Sequence, residues 1–79
     1  IDTVRVAALL TDSGDNLIKV SFRSDGSVDV AALAAQFGGG GHARAAGARI
    51  PGNLTDVKEK TGAAIQSALA SAQAQRPSK

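Results

Sequence analysis

Four consecutive glycines followed by a histidine, residues 38–42, form the stretch of this sequence best suited to chemistry. Glycine loses more conformational entropy on folding than any other residue, so four in a row inside a folded domain need a physical reason. Without Cβ atoms, successive backbone N–H groups can point inward together and bind an anion. The His42 side chain adds a hydrogen-bond donor beside them. We interpret the segment as an anion-binding loop, with a flexible linker or a tight chain reversal as the alternative.

The segment differs from two familiar phosphate-binding motifs. A Walker A loop has Lys and Ser or Thr after its glycines, and the dinucleotide fingerprint spaces its glycines within a βαβ unit. Other chemistry has less support. With one His and no Cys in the sequence, we expect no metal site within this chain. Ser21 and Ser24 are present, but no pattern places a carboxylate behind His42, so we expect no serine nucleophile.

Arg23 is the second candidate for anion binding. It ends an alternating pattern on the polar side and is followed by Ser24, so we expect a guanidinium and a hydroxyl to emerge together. Arginine can hold a phosphate through two parallel hydrogen bonds, whereas Lys19 would act as a point charge. A solvated arginine at a strand end is an equally good interpretation. Arg44 and Arg49 are expected to add positive potential.

A hairpin is predicted to carry Arg23. Residues 4–10 and 17–23 each show strand-like alternation, and residues 11–16 between them are a cluster of turn formers. The apolar side of the second strand is expected to face the core. Its members are Ile18, Val20 and Phe22.

Residues 28–37 are predicted to form a helix that leads into the glycines. Asp29 or Ser27 can cap its beginning, and four glycines must end it. One stripe at helical spacing is expected to be buried. It comprises Val30, Leu33, Ala34 and Phe37.

The chain after the glycines is predicted to contain a short strand and a long helix. Residues 43–47 could hold one helical turn whose free N–H groups would join the anion site. Residues 48–50 are typical of a strand, and Asn53 or Thr55 can cap the last helix. The expected core-facing stripe of that helix is Leu54, Val57, Thr61, Ile65, Ala68 and Ala72. Residues 73–79 are expected to be a frayed tail.

The predicted order β-β-α-β-α gives an α+β fold in which two helices cover a small sheet, with residues 1–79 as one domain. The net charge of +2 does not by itself indicate a nucleic-acid binder. The sequence shows no apolar run of about 20 residues and no secretory signal, and with no Cys it fits a cytoplasmic setting. Since it also contains no Met, we expect it to be part of a longer protein.

Residues 39–47 read Gly-Gly-Gly-His-x-x-Ala-Ala-Gly and resemble the GGGHxxAAG signature of the C-terminal DHH-associated domain of DHH-family phosphoesterases. Residues 20–24, residues 28–30 and the helix that follows are also similar to that family. The resemblance spans residues 4–70. It is closest to the nano-RNase and adenosine-bisphosphate phosphatase branch, which is similar to the cyclic-dinucleotide phosphodiesterases.

The resemblance implies a hydrolase with a separate N-terminal DHH domain that holds manganese ions through Asp and His ligands. This chain lacks the Asp-His-His triplet, so alone it is expected to bind substrate and not to hydrolyse it. Expected partners are a short RNA or nucleotide and the protein's own DHH domain, with no membrane; a homodimer of the full-length protein stays open. The residues that the resemblance assigns to substrate phosphate are Arg23, Ser24, Gly39, Gly40, Gly41 and His42.

Two other functions compete with this interpretation. The domain could be a single-stranded nucleic-acid or tRNA binding module of an exonuclease or an alanyl-tRNA synthetase. Phe22 and Phe37 are the sole aromatic residues, which argues against an extended stacking platform. A structural dimerisation domain would leave the glycine segment unexplained.

Overall fold

The fold is an α+β arrangement of one four-stranded sheet and two helices, seen in a computed structural model that describes residues 5–74. The sheet order is β1-β2-β4-β3, and each neighbouring pair is antiparallel. The predicted fold class is therefore confirmed, with one strand more than the sequence pattern indicated. In chain order the elements are β1 (Val6–Asp12), β2 (Leu17–Ser24), α1 (Val30–Ala35), β3 (Gly40–His42), β4 (Ala45–Pro51) and α2 (Leu54–Ala74).

The additional strand lies in the glycine segment, and it corrects one prediction. Residues 43–47 do not form a helical turn: Ala43 and Arg44 close the β3–β4 hairpin, and Ala45 already belongs to β4. The hairpin tip is held by two backbone hydrogen bonds, from Ser24 N–H to the Arg44 carbonyl (3.0 Å) and from Val30 N–H to the Ala43 carbonyl (2.9 Å). Residues 45–47 of β4 are paired with β2 on one side and with β3 on the other, so no helix N-terminus is available there for an anion.

The core lies between the sheet and the helices, as the hydrophobic pattern predicted. Ile18, Val20 and Phe22 of β2 are fully buried, and so are the predicted inward residues of α1 apart from Phe37. Phe37 is half-buried and stacks on Phe22 with ring centroids 6.5 Å apart. From β4 the core receives Ala48 and Ile50. One face of the sheet is therefore covered, and alternation sends the remaining strand side chains to the opposite face.

Helix α2 follows its predicted stripe only in part. Val57 and Thr61 are buried, and the Thr61 hydroxyl donates to the Val57 carbonyl at 2.9 Å. Ile65 and Ala68 are half-buried. The prediction for Leu54 was wrong: it is 44% exposed, because it is the first residue of the helix and precedes the turns that reach the core.

The structure shows where α2 begins and ends relative to the predicted cap and tail. Asn53 caps the helix: its side-chain oxygen accepts from Asp56 N–H at 2.8 Å, and its amide donates to the Asp56 carboxylate at 3.2 Å. The helix continues through Ala74, so the first two residues of the predicted tail are helical. The side chain of Ala72 and residues 75–79 lie outside the described residues. No helix in the described part of the chain is both long and apolar enough to cross a membrane.

Asp29 is the N-cap of α1, and its removal should destabilise the fold. Its carboxylate accepts from Ala31 N–H at 2.9 Å and Ala32 N–H at 3.3 Å. We expect Asp29→Ala to lower the free energy of unfolding by about 1 kcal/mol, measured by urea denaturation, because both N–H groups lose their partner. Asp15→Ala, in the exposed β1–β2 turn, is the matched control. An equal loss in the two variants would contradict the capping role.

Candidate functional site

The sheet register brings Arg23 and His42 into one row of side chains. Arg23 on β2 is paired with Ala45 on β4, and Ala45 is paired with His42 on β3. Residues paired across an antiparallel sheet project from the same face. Neighbouring strands are about 4.8 Å apart, so the Cα atoms of Arg23 and His42 lie roughly 10 Å apart. The side chains of Arg23 and His42 are both exposed. Between them in the row lies only the methyl group of Ala45.

This row belongs to the face of the sheet opposite the helices. The buried residues of β2 point toward α1 and α2, and Arg23 alternates with them, so it points away. We call this surface the open face. Its strand residues, taken from the register, are Ala7, Leu9, Thr11, Leu17, Lys19, Ser21, Arg23, Gly40, His42, Ala45, Gly47, Arg49 and Pro51.

Ser24 is oriented differently from the prediction. It follows Arg23 in the same strand, so the two side chains leave opposite faces and do not emerge together. The Ser24 hydroxyl oxygen accepts from Gly26 N–H at 3.1 Å and Val28 N–H at 3.4 Å. Ser24 therefore shapes the turn between β2 and α1. Its hydroxyl hydrogen can still donate, so its contact with substrate stays a prediction.

Part of the glycine backbone is already engaged in ending α1. Gly38 N–H donates to the Ala35 carbonyl at 3.1 Å, and Gly39 N–H donates to the Ala34 carbonyl at 2.9 Å. With Gly38 at φ +81°, this is the Schellman arrangement that ends many helices. These two N–H groups are therefore committed to the helix. Within the glycine segment, a backbone anion site is limited to those N–H groups of Gly40, Gly41 and His42 that point away from β4, because β3 pairs with β4 along its other side.

Two of the glycines allow β3 to approach β4 closely. A Cβ atom on Gly41 would lie 2.6 Å from Ala46 Cα, and Gly41 has φ +147°. A Cβ on Gly39 would overlap the Gly47 carbonyl oxygen and lie 2.7 Å from Ala48 Cβ. Gly40 differs, because nothing lies within 4 Å of the position where its Cβ would be. Close packing thus explains Gly39 and Gly41, whereas Gly40 leaves open space on the open face.

A negative charge borders the Arg23 end of the open face. Asp25 lines a concavity of about 200 Å³ together with Arg5, Arg23 and Ser24. A hydrogen bond from the Ser27 backbone N–H, at 2.9 Å, holds the pKa of Asp25 below its ordinary value of 3.8, and the Ser27 side chain lowers it further. Asp25 is therefore ionised at neutral pH and brings a negative charge to the concavity beside Arg5 and Arg23.

The pKa of Asp25 gives a prediction about pH. A carboxylate whose pKa is lowered by folding stabilises the folded state above the unfolded pKa, and that contribution is lost as the pH falls through the folded pKa. We expect the NMR titration of the Asp25 carboxyl carbon to have its midpoint below 3.8. In Ser27→Ala the midpoint should move toward 3.8, because one of the two hydrogen bonds is gone. A wild-type midpoint at or above 3.8 would contradict the Ser27 contacts.

A second concavity of the described residues differs from the open face in its charges. A wider concavity of about 500 Å³ lies along α2, where Lys58 and Glu59 bring opposite charges to its wall. Within residues 5–74, no group of three or more His, Cys, Asp or Glu side chains could hold a metal ion. The family resemblance places its manganese ions in a separate DHH domain, so manganese stays a prediction for that domain.

Fold and site together define a small α+β domain in which a row of Arg and His lies on an uncovered sheet face beside a glycine edge strand. The chain belongs to the DHHA1 domain family, whose model matches residues 1–74. This is the domain associated with DHH phosphoesterases, so the resemblance of the GGGHxxAAG segment is confirmed at the level of the family. The nano-RNase branch stays a prediction. A search of curated proteins gave no match.

Proposed function

We propose that this domain binds a phosphate of a short oligoribonucleotide or small nucleotide for a DHH phosphoesterase. The observation that carries the proposal is the row Arg23–Ala45–His42 on the open face, with the Gly40 and Gly41 backbone beside it. Arg23 would hold two phosphate oxygens through parallel charge-assisted hydrogen bonds. His42 would donate to the phosphate from the other side of Ala45.

The domain's contribution to the reaction is positioning. Fixing one phosphate at two points converts a loosely held substrate into one with a defined orientation, which can lower the barrier of the reaction that follows. The hydrolytic chemistry is proposed to belong to a DHH domain outside this sequence, where manganese ions would supply an activated water. This chain alone is expected to bind without hydrolysing. Adenosine 3′,5′-bisphosphate and cyclic dinucleotides are further candidate substrates, and a cytoplasmic location is part of the proposal.

An NMR titration with three ligands tests the proposal. We expect 5′-phosphorylated diadenylate to bind weakly, with a Kd of roughly 1 mM because one side of the cleft is missing. Unphosphorylated diadenylate, at the same concentrations, should bind several-fold more weakly, since the terminal phosphate is the group held at Arg23 and His42. A long single strand of adenylates without a terminal phosphate is the third ligand.

The relative affinities of the three ligands distinguish a phosphate site from a general nucleic-acid binding module. Phosphate-dependent binding of the dinucleotide, lost in His42→Ala, supports the phosphate site. If the two dinucleotides bind equally and the long strand binds tightest, the domain is a nucleic-acid binding module and the phosphate-site proposal is wrong.

A further inference from the structure

Two further cations stand side by side on the open face, at the other end of β2 from Arg23. Lys19 is paired with Arg49 on β4, and both side chains are exposed. Like charges directly opposite each other across a sheet repel and destabilise the pairing. Among the described strand residues of the open face, none is Asp or Glu. An anion between Lys19 and Arg49 would relieve this repulsion.

A concavity lies at the same place. It has a volume of about 320 Å³, and its lining comprises Lys19, Val20, Gly38, Gly39, Gly47, Ala48 and Arg49. Lys19 and Arg49 are the charged residues of this lining, and three of the seven residues are glycines. The Gly38 and Gly39 N–H groups are bonded to α1 carbonyls, so the two cationic side chains are the groups that would bind an anion. The described residues that line the concavity include no aromatic ring on which a base could stack, and the imidazole of His42 lies in the Arg23 row, away from it. The concavity therefore suits a phosphate group and not a nucleobase.

Small residues separate this concavity from the Arg23–His42 row on β2, β3 and β4. Lys19 and Arg23 are four residues apart on β2, which places their Cα atoms about 13 Å apart along the strand. The row between them consists of Leu9, Ser21, Gly47 and Gly40, and a Cβ at Gly40 would meet open space. Leu9, on β1, is the one bulky side chain of the row and is 68% exposed. A polynucleotide backbone can pass over Ser21, Gly47 and Gly40, on the side of the row away from Leu9, without meeting a bulky side chain.

We propose that Lys19 and Arg49 form a second anion subsite, which binds a phosphodiester group of the same linear oligonucleotide whose terminal phosphate is held by Arg23 and His42. This inference rests on the proposed function and narrows its substrate class. Two anion subsites about 13 Å apart favour linear oligonucleotides of more than two residues over a compact adenosine bisphosphate. Recognition through phosphate groups alone carries no base sequence.

A length series tests the second subsite. Kd values are measured by NMR for 5′-phosphorylated oligoadenylates of two and five nucleotides, and the readout is the ratio of the two. In the wild type the pentanucleotide should bind roughly tenfold more tightly, with a salt slope steeper by about 0.7 for each added phosphate contact. In Lys19→Ala/Arg49→Ala the ratio should fall to near one. Lys58→Ala/Lys60→Ala, which removes the same charge from exposed α2, should keep the wild-type ratio.

The ratio separates failure of this inference from failure of the proposed function. A ratio unchanged in Lys19→Ala/Arg49→Ala, or lowered equally in the α2 control, overturns the second subsite while leaving phosphate-dependent binding of the dinucleotide intact. If removing the 5′-phosphate has no effect on dinucleotide binding, the proposed function itself fails. Arg49→Gln, which removes the charge and keeps most of the side chain, should lower the ratio in part.

Discussion

Replacing Gly41 with alanine is expected to lower the free energy of unfolding by roughly 2–5 kcal/mol. The new Cβ would lie 2.6 Å from Ala46 Cα and 2.7 Å from the Ala45 carbonyl oxygen. Both are backbone atoms, so no change of side-chain rotamer can relieve the overlap. The alanine would also have to adopt φ +147°, a region that is almost restricted to glycine. Overpacking costs about 1–3 kcal/mol and a positive φ about 1–2 kcal/mol more. In a domain of this size that is a large part of the total stability.

Gly40→Ala is the matched control for Gly41→Ala. It introduces the same methyl group one residue earlier in β3, where nothing lies within 4 Å of the new Cβ. We expect a change within about 1 kcal/mol, because reduced freedom of the unfolded chain offsets small losses in the folded state. Urea denaturation of both variants measures the difference. If Gly40→Ala and Gly41→Ala destabilise the domain equally, the close approach of β3 to β4 does not explain Gly41.

Arg23→Ala should produce the largest loss of ligand binding. Hydrogen bonds to charged groups contribute about 1.5–3 kcal/mol, so the Kd for 5′-phosphorylated diadenylate should rise roughly tenfold or more. Arg23→Lys keeps the charge but not the paired donors, and it should restore binding only in part. An NMR titration of each variant gives the Kd.

Lys60→Ala is the control for Arg23→Ala, because it removes one exposed positive charge from α2, away from the open face. Its Kd should stay within about twofold of the wild type, since exposed charges that do not touch a ligand act weakly at physiological salt. Equal losses in the two variants would show that net charge, and not the Arg23–His42 row, governs binding.

Elements defined by local pattern were predictable from the sequence. Alternation in β2 identified Ile18, Val20 and Phe22 as buried, because only one side of that strand is apolar and a shift of one residue would expose all three. Asp29 and Ser27 were the two predicted caps of α1, and the structure selects Asp29, because its carboxylate accepts from two N–H groups of the first turn.

Elements that depend on pairing between distant residues were not predictable. Residues 43–47 contain alanines that favour a helix locally, yet Ala45 and Gly47 lie in a strand because β2 and β3 pair with them on both sides. Gly40 to His42 form a strand for the same reason. Glycine is a poor strand former, and close contact with β4 overrides that preference.

The residues of the candidate site could be predicted from the sequence, but their positions relative to one another could not. Arg23 and His42 were identified by type, but their place in one row follows from the register, which joins residues far apart in sequence. The same limit hid the pairing of Lys19 with Arg49. The glycine segment has three roles that one pattern cannot separate: Gly38 ends α1, Gly39 and Gly41 allow close packing, and Gly40 leaves the open face free.

The most direct test of the phosphate site is a map of backbone amide chemical-shift changes in the wild-type chain on addition of 5′-phosphorylated diadenylate. We predict that the largest changes fall at Gly40, Gly41, His42 and Arg23, with α2 unchanged. Changes concentrated around the α2 concavity near Lys58, with β3 and the end of β2 unaffected, would contradict the phosphate site on the open face.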